Sequence, residues 1–169
     1  MIILKSGYTN KEYADCAVEA NQTGKIMTIL ENGDVDLTTP PEPSLDELKE
    51  IMVANMKKKR DVLEQSGFTY LDKVFDSDTV SIQRISIACL NALEALRTNN
   101  TAFSIEWTCK DNSNIALSAE QLVGLSAALA YHSGTLHEKY RQIKEAINSK
   151  ETAEEVYTIN WDTFVFSIV

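Results

Sequence analysis

The sequence predicts an α+β fold in which long helices pack on a small antiparallel sheet made of hairpins. Three observations support this prediction. Apolar residues recur at spacings of three and four over long segments, which is typical of amphipathic helices. Short runs of alternating apolar residues lie between these segments and end at turn-forming residues. All three prolines fall within residues 40–43, which indicates a break after a small N-terminal β unit.

The composition is that of an ordinary globular protein. The 169 residues are 44% hydrophobic and 24% charged, and the net charge is −9. This acidic balance argues against general binding to a phosphate backbone, so we predict no nucleic-acid partner. The apolar run at residues 1–4 is too short for a signal peptide or a membrane helix, which predicts no export and no membrane association. The widely spaced Cys16, Cys89 and Cys109 favour a reduced cytosolic protein without disulfides.

The N-terminal β unit is assigned to residues 1–38. Alternating apolar residues in 26–30 and 35–37 flank Asn32-Gly33, a pair that favours a tight hairpin turn. The unit is a candidate docking element. The proline-rich residues 39–43 then form a linker.

Residues 44–67 are predicted as a connecting helix. Ser44 and Glu47 have the spacing of a capping box, and Gly67 is suited to the end of the helix. The basic cluster at residues 57–60 has two interpretations: a solvated face that complements the helix dipole, or a contact with nucleic acid or an acidic partner. The first interpretation is favoured.

The central domain is assigned to residues 68–155. It starts with a short hairpin at residues 68–75, and one of the residues 76–78 caps a helix from Thr79 to Arg97. The predicted buried stripe of this helix consists of Ile82, Ile85, Cys89, Ala92, Leu93 and Leu96. Cys89 is therefore expected to be a small core residue and not a nucleophile.

A strand over residues 103–109 is predicted to turn at 111–114 and return at 115–117. Trp107 is expected to seal a helix against the sheet, and the alternative is a ligand platform. These strands could pair with each other and with the hairpin at residues 68–75.

The longest helix is predicted to begin at a second capping box, Ser118 to Gln121. Its near-heptad stripe consists of Leu122, Leu125, Leu129, His132, Leu136, Tyr140, Ile143 and Ile147. This helix either folds back on the helix that begins at Thr79 or pairs with another copy of the chain. On the second alternative, Leu129 and Leu136 are candidate interaction residues. His132 is expected to be a hydrogen-bonded structural histidine, and His137 lies off the stripe.

The C-terminal residues 156–169 are predicted as a hydrophobic strand, either tied into a sheet or added to the sheet of another chain. The candidate interaction residues of this segment are Trp161, Phe164, Phe166 and Ile168.

No catalytic motif stands out. Phosphate-binding glycine loops and the nucleophile elbow are missing from the sequence. The acidic pairs Asp76 with Asp78 and Glu154 with Glu155 are better explained by a helix cap and by a polar surface. We therefore predict a protein that is not an enzyme, with no catalytic residue, cofactor or metal ligand.

Residues 45–155 resemble an uncharacterised domain of tailed-bacteriophage and prophage proteins that are often encoded near tail-fibre and tail-fibre-assembly genes. The resemblance lies in packing and turn residues, and it carries over no catalytic residue. The segments that carry it are Gly67-Phe68-Thr69-Tyr70, Lys73-Val74-Phe75-Asp76, Ser81-Ile82-Gln83-Arg84-Ile85, Trp107-Thr108-Cys109-Lys110-Asp111-Asn112 and Leu136-His137-Glu138-Lys139.

The resemblance implies a non-enzymatic phage tail accessory protein, made in the bacterial cytoplasm and located in the virion tail. Its expected partner is a tail-fibre or baseplate protein, with self-association through the long C-terminal helix as a further expectation. One alternative is a tail-fibre assembly chaperone that is not retained in the virion. Another is a small acidic phage inhibitor of a host protein, whose net charge of −9 imitates nucleic acid.

Overall fold

The computed structural model describes residues 2–168, so Met1 and Val169, which belong to two of the predicted segments, lie outside the described residues. The prediction of an α+β fold is confirmed: the described residues form five helices and seven strands, and the strands make three small antiparallel sheets. The chain divides into two compact units between Ser44 and Leu45.

The first unit is a three-stranded sheet with one helix. Its elements are β1 (Ile2–Leu4), α1 (Asn10–Thr23), β2 (Ile26–Ile29) and β3 (Val35–Thr38). Strand β3 lies between β1 and β2 and is antiparallel to both. The buried hydrophobic residues of this unit are Cys16, Ala20, Val35 and Leu37, and Asp34 is a buried polar residue.

The predicted N-terminal β unit at residues 1–38 has a sheet but also contains a helix, α1, that the sequence analysis did not predict. The helix begins at a capping box formed by Thr9 and Glu12 and ends at Gly24, whose φ is 65°. Only Cys16 and Ala20 of α1 are buried. A helix with so narrow a buried stripe gives almost no apolar periodicity in the sequence.

The predicted hairpin around Asn32-Gly33 is confirmed by the pairing of β2 with β3. Its turn is wider than the two-residue turn that the sequence suggested. Gly33 has a φ of 81°, whereas the Asn32 side chain makes two hydrogen bonds with Asp34, each of 3.0 Å. The backbone N–H of Leu30 donates to the carbonyl of Asp34 at 2.9 Å, which closes the turn.

The second unit contains four helices and two hairpins among its described residues. Its elements are α2 (Leu45–Glu64), β4 (Phe68–Tyr70), β5 (Lys73–Phe75), α3 (Thr79–Arg97), β6 (Ser104–Thr108), β7 (Asn114–Ser118), α4 (Ala119–Asn148) and α5 (Ala153–Tyr157). Strand β4 pairs with β5 and β6 pairs with β7, as two separate sheets. Helix α4 packs against both α2 and α3.

Two hydrophobic cores lie along α4. The first joins the N-terminal half of α4 to α3 and to both hairpins, and its large buried side chains include Phe68, Phe75, Ile85, Leu117, Leu122 and Leu125. The second joins the C-terminal half of α4 to α2 and to the chain that follows α4. Its buried side chains are Leu48, Ile143, Ile147, Val156, Ile159 and Trp161.

The prediction of a C-terminal strand is wrong. Residues 153–157 form the helix α5, which begins at a capping box between Thr152 and Glu155, and none of the described residues 158–168 is in a strand. Asn160 closes a turn by accepting the N–H of Asp162 at 2.8 Å through its side chain and that of Phe164 at 3.0 Å through its carbonyl. The segment therefore turns back onto the second core.

Candidate functional site

The structure places most of the predicted C-terminal interaction residues against the chain itself. Trp161 is 6% exposed and belongs to the second core, and Phe164 packs against that core. The Lys139 ammonium lies 5.5 Å from the ring centre of Trp161 and 5.1 Å from that of Phe166, which is partly buried. Of the four candidates, only Ile168 is exposed, at 55%.

The predicted α4 stripe is used within the chain. Leu129 packs against the first core and Leu136 against the second, and both are partly buried. Of the two alternatives for this helix, packing on the helix that begins at Thr79 is the one present, because α4 contacts α3 extensively. Both leucines therefore have apolar neighbours within the chain.

The largest difference from the sequence analysis lies on α3. Its buried residues are Ile85, Ala88, Ala92 and Ala95, so the predicted stripe is correct for only two of its six members. Cys89 is partly exposed and not buried as predicted. Six large apolar side chains of this helix are exposed to between 36% and 67%, and we call them the α3 face: Val80, Ile82, Ile87, Leu90, Leu93 and Leu96.

The sizes of the side chains explain which side of α3 packs against α4. Three of its four buried residues are alanines, which let α3 lie close to α4 without a bulky side chain between the helices. The larger isoleucines and leucines of α3, apart from Ile85, then project from the opposite and lateral sides. Close packing of two helices on alanine therefore leaves the most hydrophobic side of α3 uncovered.

Charges lie at the two ends of the α3 face, and residues 85–93 contain none. At the N-terminal end, Asp78 caps the helix by accepting the N–H groups of Val80 at 2.9 Å and Ser81 at 3.2 Å. The hydroxyl and the N–H of Ser81 hold the pKa of the Asp78 carboxyl below its usual value. A negative charge at this helix end is also favoured by the helix dipole.

At the C-terminal end, Arg97 forms a bidentate ion pair with Glu94, with N–O distances of 2.6 and 2.8 Å. This pair lowers the pKa of the Glu94 carboxyl and raises the pKa of Arg97. Both side chains are mostly exposed, so the guanidinium remains accessible to a further carboxylate. The N-terminal part of α3 thus carries Asp78 and the exposed Arg84, and its C-terminal end carries the paired Glu94 and Arg97.

A second candidate is a small cavity between β4 and α4. It has a volume of about 240 Å³ and is lined by Phe68, Thr69, Ala128, Tyr131, His132, Thr135 and Leu136. Two buried polar atoms, His132 Nε2 and Thr135 Oγ1, have no hydrogen-bond partner in the protein. The expectation of a hydrogen-bonded histidine is therefore wrong for Nε2 of His132. Water-sized space next to two orphaned polar atoms fits ordered solvent.

The nearby titratable groups form a structural link between α2 and α4. The carboxylate of Glu64 accepts the Ser133 hydroxyl with one oxygen and lies 3.3 Å from His137 Nε2 with the other. Because the carboxylate lies between the hydroxyl and the imidazole, His137 is not positioned as the general base of a serine nucleophile.

The basic cluster of α2 is partly used within the chain. The Arg60 guanidinium stacks 4.8 Å from the ring centre of Tyr140 and pairs with Asp61, and Lys59 lies 3.6 Å from Asp162. Lys57 and Lys58 are exposed. Lys57 and Lys58 fit the favoured interpretation of a solvated face, but the last turn of α2 contains no basic residue, so the expected contribution to the helix dipole is not supported.

The described residues contain no group of three His, Cys, Asp or Glu side chains arranged to hold a metal ion. Within the same residues, no helix has the length and apolar character needed to cross a bilayer. Of the acidic pairs, Asp78 and Glu155 cap helices through hydrogen bonds to backbone N–H groups. The α3 face is therefore the surface feature that stands out.

No curated protein and no solved structure matches this chain. A protein family described as a domain of unknown function (DUF4376) matches residues 47–162, which is more than half of the chain and almost all of the second unit. The chain therefore belongs to the family of the domain of unknown function DUF4376.

Proposed function

We propose that this chain is a non-enzymatic accessory protein of a bacteriophage tail, which acts by protein–protein contact at the fibre or baseplate. The observation that carries the contact role is the α3 face, with six large apolar side chains between 36% and 67% exposed on one helix. The phage setting rests on the resemblance of residues 45–155 to tail-associated phage domains.

The size of the face supports a binding role. Six exposed large apolar side chains on a single helix are more than the scattered exposed apolar residues that need no explanation, and such concentrations often mark a binding surface. The aliphatic composition and the uncharged centre also favour protein contact, because charged residues are depleted at the centre of protein interfaces.

The test is to look for the protein in purified virions by mass spectrometry, with phage that carry the wild-type gene, Leu90→Glu or Val62→Glu. Leu90 and Val62 are both 67% exposed, but Val62 lies on α2, so its variant is a matched control for a surface charge. We expect wild-type and Val62→Glu protein in the particles and much less Leu90→Glu protein.

Two outcomes would contradict the proposal. Recovery with fibre proteins from infected cells, together with absence from finished particles, would identify an assembly chaperone. Absence from particles, together with salt-sensitive recovery of a basic host enzyme, would identify an inhibitor of a host protein.

A further inference from the structure

We propose that the outer edge of β6 binds an extended segment of a partner protein, which adds a third strand to the β6–β7 hairpin. The segment lies in a cleft of about 320 Å³ between α3 and β6, which we call the β6 cleft. Of the α3 face, this cleft includes Ile87 alone. The inference is therefore separate from the proposed tail contact, and its tests need no phage.

The lining of the β6 cleft places it along the edge of the strand. Four successive residues of β6, 105–108, line it, although their side chains alternate between the two faces of the hairpin. No residue of β7 is part of the lining, and the opposite wall consists of α3 residues between Arg84 and Asn91. A cleft on one face of the hairpin would instead be lined by every second residue of both strands.

The outer edge of β6 has backbone groups that are free to pair with another strand. Among the described strands, β6 pairs with β7 alone. The N–H of Cys109 donates to the carbonyl of Ser113 on the β7 side at 2.8 Å. Because backbone groups alternate in direction along a strand, those of Glu106 and Thr108 point away from β7. Within the part of the chain that the structure describes, none of these outward groups makes a hydrogen bond.

The dimensions of the β6 cleft match a short strand. From Arg84 to Asn91 the axis of α3 rises by about 10 Å, and residues 105–108 of β6 also span about 10 Å. A volume of about 320 Å³ lies at the lower end of the range for ligand pockets. Addition of a strand to an exposed sheet edge is a recurring mode of peptide recognition, in which main-chain hydrogen bonds supply the affinity.

The apolar wall of the β6 cleft determines which side chains the segment should carry. Ile105 and Trp107 are partly buried and point to the same face of the hairpin, and Ile87 is 60% exposed on α3. Every second residue of an added strand would lie on this face. We therefore expect apolar side chains at these alternate positions of the segment.

The two charged residues of the β6 cleft have opposite signs and are both available to a partner. Arg84 and Glu106 are exposed, and neither side chain forms an ion pair or a hydrogen bond with a described residue. Glu106 points to the face opposite to that of Trp107, so a Lys or Arg directly across from it would be favourable. Arg84 lies on the helix wall and would attract an Asp or Glu at a position facing the cleft. The expected segment therefore has a basic residue between an acidic and an apolar residue.

The first test selects peptides from a random twelve-residue display library on the full chain. Peptides that also bind Glu106→Pro protein are removed, because this change deletes an outward N–H without deleting a β6–β7 hydrogen bond. The control is Ala116→Pro, directly across from Glu106, whose N–H points out of the opposite edge of the hairpin. We expect the remaining peptides to bind Ala116→Pro and wild type equally.

Two outcomes of this selection would overturn the proposal. One is that no peptide remains after removal on Glu106→Pro. The other is that Ala116→Pro abolishes binding as well, while its circular dichroism is unchanged.

The second test methylates each backbone nitrogen of a selected peptide in turn and measures affinity for the wild-type chain by calorimetry. It does not depend on the folding of any protein variant. We expect affinity to fall about tenfold at every second residue and to change little between them, since an added strand turns alternate N–H groups to β6. Losses without this alternation would overturn strand addition.

The third test compares Arg84→Ala with Arg97→Ala, because both arginines are exposed on α3 but only Arg84 lines the β6 cleft. We expect Arg84→Ala to weaken an acidic selected peptide about threefold, as for an exposed ion pair, and Arg97→Ala to have no effect. The Arg84 effect should disappear when the acidic residue of the peptide is replaced by its amide. Equal effects of the two arginine variants would overturn the proposed recognition of a carboxylate.

Discussion

The hydroxyl oxygen of Tyr70 fills the space beside Gly124 that any side chain at that position would need. A β-carbon added at position 124 would overlap this oxygen and would lie 3.1 Å from the ring carbon that bears it. Gly124 lies in the first half of α4, and Tyr70 lies on β4. The missing side chain thus lets the β4–β5 hairpin lie against the helix.

We therefore expect Gly124→Ala to lower the free energy of unfolding by about 1–3 kcal/mol, since it overpacks this contact. Adding Tyr70→Phe removes the closest atom and should restore part of the loss. The matched control is Gly134→Ala in the same helix, where a β-carbon meets nothing within 4 Å. It should stabilise the protein by up to about 1 kcal/mol. If urea unfolding gave Gly124→Ala and Gly134→Ala the same free energy of unfolding, the close contact between Gly124 and Tyr70 would be contradicted.

Ser77 joins the end of α2 to the β4–β5 hairpin. Its fully buried hydroxyl accepts the N–H of Gly67 at 2.8 Å and donates to the carbonyl of Glu64 at 2.5 Å. Ser77→Ala leaves both backbone groups without this partner and should cost about 1–3 kcal/mol in urea unfolding. Ser66→Ala removes an exposed hydroxyl that donates to the carbonyl of Leu63, and should change stability by less than about 0.5 kcal/mol. Equal losses in the two variants would refute this role for Ser77.

Trp161 is expected to stabilise the fold, in contrast to the interaction role that the sequence suggested. Because it is 6% exposed in the second core, Trp161→Ala should cost about 3–5 kcal/mol. Ile168→Ala, at a site 55% exposed, should be nearly neutral. The measurement is urea unfolding followed by far-ultraviolet circular dichroism. A Trp161→Ala protein of wild-type stability would show that the core does not need this side chain.

Asp78 should make stability depend on acid pH. Hydrogen bonds from Ser81 lower the pKa of Asp78 in the folded chain below the value of about 3.9 expected when unfolded. The folded state thus binds the Asp78 proton less tightly, so the resulting stability is complete above the unfolded pKa and is lost as the pH falls through the folded pKa.

Asp78→Asn keeps a good N-cap but cannot titrate. We therefore expect the stability advantage of the wild type over Asp78→Asn at pH 7 to shrink when both are unfolded in urea at acid pH and equal protein concentration. An NMR titration that gives Asp78 a pKa at or above 3.9 would contradict this prediction.

Local sequence signals predicted most elements of the second unit. The Ser118–Gln121 capping box, the Asp78 cap and the β4–β5 hairpin are all present, because each depends on residues close together in the chain. The hairpin turn uses Leu71 and Asp72 at φ values of 48° and 59°, which the polar turn residues only partly indicated. Helix α1 was missed although Thr9, Glu12 and Gly24 carry its start and end signals.

The candidate site could not be predicted in the same way. Helix α3 has apolar residues on more than one side, and the sequence cannot tell which side packs within the chain. Apart from Ala92, larger residues were assigned to the core, whereas the fold also buries Ala88 and Ala95 because they allow close approach to α4. The buried position of Trp161 likewise depends on α2 and α4, which are distant in sequence.

The packing of helix α4 determines where local unfolding of the second unit should be easiest. It is 30 residues and about 45 Å long, and its fully buried residues lie only near its two ends, in different cores. Its middle residues, 126–142, include none that is fully buried, and Gly134 lies among them. Amide hydrogen exchange should therefore show two protected blocks joined by a faster-exchanging middle of α4, since local opening follows the density of buried contacts. The unfolding of the second unit would then be least cooperative in the middle of α4, although the helix itself is continuous.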